Sequence, residues 1–169
     1  IQKHNIPYHI VIHNSQQTIS LLEKYNINLG VISGARILHK SVIDVIKLGI
    51  LNFHPGLLPE IRGLDSILWS IQKDYPLGVT AHLINDKIDA GYLVYKKQLT
   101  ILGKDDIYSL YEKIYQLQLQ LIPISLNLIL ENNKFEVLKI GDYNSKMSYK
   151  NQLEVSDKIS GYIHTHVKI

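Results

Sequence analysis

Leu29-Gly-Val-Ile-Ser-Gly-Ala-Arg-Ile-Leu-His-Lys-Ser-Val-Ile-Asp-Val-Ile-Lys-Leu-Gly-Ile50-Leu-Asn-Phe53 reads as strand, helix and strand in immediate succession. Leu29 to Ser33 is a short apolar run of the kind a buried strand makes. Residues 39–48 place Val42, Val45 and Ile46 on one helical face, and Gly49 is suited to end that helix. Ile50 to Phe53 is again strand-like. Upstream, Pro7-Tyr-His-Ile-Val-Ile-His13 predicts another strand and Asn14-Ser15 a helix cap, followed by a helix over about 15–26 on the spacing of Ile19, Leu22 and Tyr25. Alternation at this density predicts right-handed βαβ units. The expected class is α/β, a mostly parallel sheet with helices on both faces.

Downstream the texture changes. Residues 54–63 hold two prolines and two glycines and read as a loop at the carboxyl end of a strand. Ser66 to Lys73 predicts a short helix, and residues 78–85 and 92–100 predict two strands paired with each other. Ile107, Leu110, Tyr111, Ile114, Leu117 and Leu121 mark a long amphipathic helix within 104–131, which Pro123 is expected to kink or divide. Phe135 to Ile140 reads as a last strand. Residues 1–140 are thus expected to form one catalytic domain and 141–169 a polar tail, with a possible helix near 151–159.

Composition narrows the function classes. A chain of 169 residues with 46% hydrophobic content is the size of one domain with one core. With no cysteine, thiol catalysis, disulfides and cysteine-based zinc sites are excluded. The net charge of +3 is spread over scattered lysines, which disfavours a dedicated nucleic-acid binder and leaves room for an anionic substrate. No apolar run is long enough to span a membrane and no signal peptide is visible, so a reducing, soluble, cytoplasmic setting is expected. The first residues, Ile1-Gln-Lys-His, lack an initiator methionine, and an N-terminal segment is expected to be missing.

Two polar clusters can carry chemistry. Asn52 and His54 are two apart at a strand end, so they face the same side. Pro55 stiffens the exit and Gly56 lets backbone approach a ligand closely. An amide beside an imidazole suits acyl transfer, the amide holding a developing oxyanion and the imidazole moving a proton near neutral pH. Thr80, His82, Asn85, Asp86 and Asp89 make the second cluster, in which Asp89 can act as an acid–base group. Spacing alone does not say whether the clusters meet. Each residue also has a plain structural reading: His54 as a loop hydrogen-bonder, Asn52 and Asp89 as turn formers, His82 as a satisfied buried side chain, Trp69 as core. His164 and His166 lack an acidic partner nearby in sequence and make a poor metal site, so no metal is expected.

Asn52-Phe-His-Pro-Gly-Leu-Leu-Pro59, Arg62-Gly63 and Gly78-Val-Thr-Ala-His-Leu-Ile-Asn-Asp-Lys-Ile-Asp-Ala-Gly91, with Ser33-Gly-Ala-Arg-Ile-Leu38 upstream, resemble the formyltransferase superfamily. That superfamily includes glycinamide ribonucleotide, methionyl-tRNA and sugar-nucleotide N-formyltransferases. The resemblance runs from about Leu29 to Gln98 and implies a Rossmann-like fold that passes a formyl group from 10-formyltetrahydrofolate to an amine. By position, Asn52 would stabilise the oxyanion of the tetrahedral intermediate. His54 would sit against the same oxygen or serve proton transfer, and Asp89 would orient His54 and help deprotonate the amine. Arg36, Ile37, Leu38, Ile84, Asn85, Asp86 and Ile88 would hold the folate, with Gly56, Leu57, Thr80 and His82 on the substrate side.

The departures from the family pattern are informative. Gly56 stands where many relatives have serine, and Leu64-Asp65 differs from both the purine and the tRNA patterns. The family's first strand and glycine-containing loop have no counterpart, nor does the extra C-terminal domain of tRNA formyltransferases. The expected acceptor is therefore a small-molecule amine, an amino-sugar nucleotide ahead of glycinamide ribonucleotide. Formyltetrahydrofolate hydrolysis and an inactive folate-binding remnant are the alternatives, and a homodimer is a possible assembly.

Overall fold

The computed structural model describes residues 4–34, 37–132 and 134–167. Ser15 caps α1 (Gln16–Lys24), its Oγ accepting from the Thr18 amide at 3.3 Å. β1 (Gly30–Val31), α2 (Lys40–Ile43) and β2 (Ile50–His54) form the expected βαβ unit, with β1 and β2 parallel, but α2 is a single turn ending at Asp44 where a helix over 39–48 closed by Gly49 was expected. β3 (Arg62–Gly63) and α3 (Ser66–Gln72) follow, then the hairpin of β4 (Gly78–Leu83) and β5 (Tyr92–Gln98). α4 (Ile107–Glu131) starts from a reciprocal capping box of Asp106 and Ser109. β6 (Glu136–Val137), β7 (Tyr143–Asn144) and α5 (Tyr149–His166) complete the described chain.

The main sheet has the order β1-β2-β4-β5-β6, and β3 pairs with β7 in a second, two-stranded sheet. The α/β class therefore stands, but the sheet is mixed where a mostly parallel one was expected. Within the main sheet, among the described residues, only β1–β2 is parallel; β2–β4, β4–β5 and β5–β6 are antiparallel. The loop 84–91 is too short for a crossover, so the chain after β4 returns antiparallel. β4 is the central strand and all six of its residues are buried.

Alternation along the strands separates two faces. Leu51, Phe53, Val79, Ala81 and Leu83 join the main core with Leu110, Ile114, Leu117 and Leu121 of α4. Ile50 packs with Ile43 and Ile46, against Leu22, Leu38 and Ile84, under α1 and α2. Helices thus cover both faces. Asn52, His54, Thr80 and His82 belong to the second face, beyond the apolar cluster.

Two sequence expectations give way. Residues 7–13 form no strand: Tyr8, Ile10 and Ile12 are 64%, 85% and 74% exposed. A strand needs a paired ladder and a buried face. Here the Ile12 carbonyl instead accepts from the Ser15 amide (2.9 Å) and Thr18 Oγ1 (2.7 Å), turning the chain into α1. Pro123, for its part, lies inside a single helix rather than dividing two. It is exposed, so the carbonyl one turn back that loses its donor can be met by solvent.

The segment after residue 140 is structured. Val155, Tyr162 and Ile163 of α5 enter the main core, and the helix extends well past the expected 151–159. No helix among the described residues is long and apolar enough to cross a membrane.

Candidate active site

A cleft of about 1000 Å³ opens beside the ends of β2 and β4. Asn52, His54 and Asp89 all line it, so the two polar clusters do meet. Ile37, Leu38, Ile84, Asn85, Asp86 and Ile88 line it too. Arg36 lies outside the described residues. Gly56, Leu57, Thr80 and His82 are not among the lining residues, and their positions explain why.

Thr80 and His82 are fully buried on the central strand, opposite His54 and Asn52 in the β2–β4 register. Thr80 Oγ1 donates to the Gly56 carbonyl at 2.7 Å and accepts from the Leu58 amide at 3.0 Å, which fixes the loop after β2. Gly56 packs under that loop. A Cβ there would stand 2.7 Å from the Ile61 carbonyl oxygen and 3.0 Å from His54 Nε2. The glycine lets the loop close over His54.

His82 sets the orientation of Asn52. Burial pushes its imidazole down to about pKa 4, so it is neutral at physiological pH. Nδ1 lies 2.9 Å from the Ala90 carbonyl, which can only accept, so Nδ1 carries the proton. Nε2 is then the acceptor, and at 3.1 Å it takes a hydrogen bond from Asn52 Nδ2. The amide is held one way round, its second N–H and its Oδ1 left for the cleft.

His54 is 4% exposed, and its nitrogens are assigned by the same logic. Nε2 donates to the Ile61 carbonyl at 2.7 Å, with Ser66 Oγ 3.2 Å away. Nδ1 stands 3.5 Å from Asp89 Oδ1, a near contact that protonation of either group would tighten. The other Asp89 oxygen, Oδ2, accepts from the Gly63 amide at 2.9 Å. Asp89 itself has φ 44°, a left-handed backbone that aims its side chain into the cleft. The imidazole and carboxylate thus face each other with their outer atoms pinned.

Ile32, Ile37, Leu38, Ile84 and Ile88 make part of the cleft's lining apolar. Asn14 holds one wall in place: its Nδ2 donates to the Ile37 carbonyl at 3.0 Å and its Oδ1 accepts from the His39 amide at 2.8 Å. Expected as a cap, Asn14 is a clamp, and Ser15 does the capping. Leu64, Asp65, Tyr111 and Tyr143 also line the cleft. Tyr111 had looked like part of α4's buried stripe but is 44% exposed. Ser66, Asp65 and Tyr143 were not predicted as site residues; a hydroxyl at a helix start and a lone tail tyrosine carry no distinguishing signal in sequence.

The profile of the formyl transferase family matches residues 6–126. Over 130 residues the chain is 32% identical to a methionyl-tRNA formyltransferase of Flavobacterium psychrophilum, covering 76% of this chain and 41% of that protein. The chain therefore spans about two fifths of the length of that curated relative. Among solved structures, the formyltransferase PseJ of Anoxybacillus kamchatkensis, in complex with UDP-4,6-dideoxy-4-formamido-L-AltNAc and tetrahydrofolate, superposes with TM-score 0.71 at 22% identity, covering 92% of this chain and 82% of that one. A phosphoribosylglycinamide formyltransferase of Campylobacter jejuni gives TM-score 0.65 at 26% identity over 76% of this chain and 71% of that one.

Proposed function

The chain belongs to the formyl transferase family, and from that membership we propose that it transfers a formyl group from 10-formyltetrahydrofolate to an amine of a small-molecule acceptor, an amino-sugar nucleotide being favoured. The observation that carries this reading is the meeting of Asn52, His54 and Asp89 in one cleft. Its apolar lining, from residues 37–39 and 84–88 among others, suits a flat heterocycle that needs an apolar slot and a few fixed polar groups. Its lining also offers two tyrosines and the Asp65 carboxylate, groups that stack on a sugar ring and accept from its hydroxyls.

The folate would supply the formyl carbon, and negative charge grows on the formyl oxygen as the amine adds. Asn52, with its orientation set by His82, offers an N–H to that charge without having to reorganise. Of the two roles expected for His54, the bond pattern favours proton handling. Its Nε2–H is committed to the Ile61 carbonyl, leaving Nδ1, beside Asp89 Oδ1, to take the amine's proton and return it to the folate nitrogen as the bond between that nitrogen and the formyl carbon breaks and tetrahydrofolate leaves. Gly63 keeps Asp89 Oδ1 turned towards that proton.

Titration of the purified chain with a stable 10-formyltetrahydrofolate analogue, followed by calorimetry, tests the donor site; a well-folded chain that does not bind it overturns the reading. Product analysis then separates the chemistries. A formylated amino-sugar nucleotide supports transfer, whereas free formate in the absence of amine means hydrolysis. The methionyl-tRNA formyltransferase relative keeps a second acceptor in play, and charged initiator tRNA in the same assay decides between them.

A further inference from the structure

We infer that Asn144, outside the segment matched by the family profile, is a positioning residue that holds the Asp89 carboxylate in its working orientation; this rests on the role proposed above for Asp89. Asn144 is 6% exposed, and its polar groups converge on β3. Its Nδ2 donates to the Arg62 carbonyl at 2.7 Å, and its own backbone carbonyl accepts from the Leu64 amide at 2.9 Å. Between those two bonds lies Gly63, whose amide donates to Asp89 Oδ2. A Cβ on Gly63 would fall on the Asn144 carbonyl oxygen, so the two backbones are in direct contact. Lys73 Nζ donates to Asn144 Oδ1 at 2.7 Å, which assigns the amide and fixes it from the far side.

The same strap is tied down along its length. Arg62 reaches from β3 to the Gly141 carbonyl (3.1 Å) with Nη1 and to the Ile88 carbonyl (2.8 Å) with Nε, joining the strap to the loop that carries Asp89. The Met147 amide donates to Asp65 Oδ2 at 2.8 Å. Residues 141–147 therefore set the direction of one peptide N–H, and that N–H decides which carboxylate oxygen faces His54. An error of about 1 Å at a reacting group can cost on the order of 10²-fold in rate.

The test compares wild type with Asn144→Ala and Asn144→Asp, the second keeping the Lys73 acceptor but losing the donor to Arg62. Three quantities are read: kcat and KM for transfer, affinity for the donor analogue, and the proton shift of the Gly63 amide, which a carboxylate acceptor moves downfield. The expected result is a kcat lowered by about 10²-fold, with analogue affinity within threefold of wild type and the Gly63 resonance moved upfield. Lys73→Met, a change at the exposed end of the network, serves if the Asn144 variants fail to fold, and should give a smaller loss of kcat in the same direction. An unmoved Gly63 resonance, or kcat and analogue affinity falling together, overturns the inference. A wild-type chain without transfer activity overturns the proposed function instead, and the Gly63 resonance still reports on the strap.

Discussion

Asn52 and His54 each commit one polar atom to the scaffold and keep another for the cleft. Removing either should therefore affect rate before stability. Asn52→Ala removes a preorganised donor and is expected to lower kcat by on the order of 10²–10³, about 2.7–4 kcal/mol of barrier. His54→Ala and Asp89→Asn should each remove most turnover, with far-ultraviolet circular dichroism unchanged. Near-wild-type rates in any one of them would withdraw the assignment for that residue. His82 gives a prediction of a different kind, because its folded pKa of about 4 lies below the unfolded value of 6.5. The unfolded chain binds the proton more readily, so the fold loses stability as pH falls from about 6.5 towards 4. The full shift corresponds to about 3 kcal/mol. Denaturant unfolding at pH 7 and at pH 4.5 should show this slope in wild type and a shallower one in His82→Phe. Equal slopes would mean that His82 is protonated in the fold.

At the scale of elements, the loop between β2 and β3 is shaped by what it cannot hold. Gly56 leaves no room for a Cβ beside Ile61 and His54 Nε2. Gly56→Ala is expected to displace the Ile61 carbonyl from His54 and lower kcat about tenfold or more, while costing roughly 1–3 kcal/mol in stability by overpacking. A Gly56→Ala protein with unchanged kcat would show that the loop yields instead. The β2–β4 register matters as much. Its pairing of Asn52 with His82 and of His54 with Thr80 converts two separate motifs into one face, since directly opposed residues on antiparallel strands share a side.

For the whole molecule, the segment after residue 140 is part of the main core. Val155, Tyr162 and Ile163 are buried with α4 and β4 residues, and the Tyr162 hydroxyl donates to the Tyr75 carbonyl at 2.8 Å. Truncating that ring should leave a cavity and an unpaired carbonyl. Tyr162→Ala is expected to cost about 3–5 kcal/mol and lower Tm by roughly 10 °C, with analogue binding preserved well below the transition. A change of only a degree or two would mean that α5 contributes little to the core. Together with the strap to β3, this ties the tail both to stability and to the geometry of the cleft.

The sequence by itself determined the α/β class, the βαβ unit around Leu29–Phe53 and the Ser15 cap of α1, and it offered Asn52, His54 and Asp89 as candidates by their chemistry. All of these depend on local periodicity or on side-chain type, which neighbours in the chain can report. Tertiary structure alone decided that residues 7–13 stay unpaired and that the sheet is mixed. It also set Thr80 and His82 behind the cleft rather than on its wall, and it brought Asn144 to bear on Asp89 through Gly63. Those outcomes depend on strand register and on contacts between residues far apart in sequence, where a single-residue slip would turn every side chain to the opposite face.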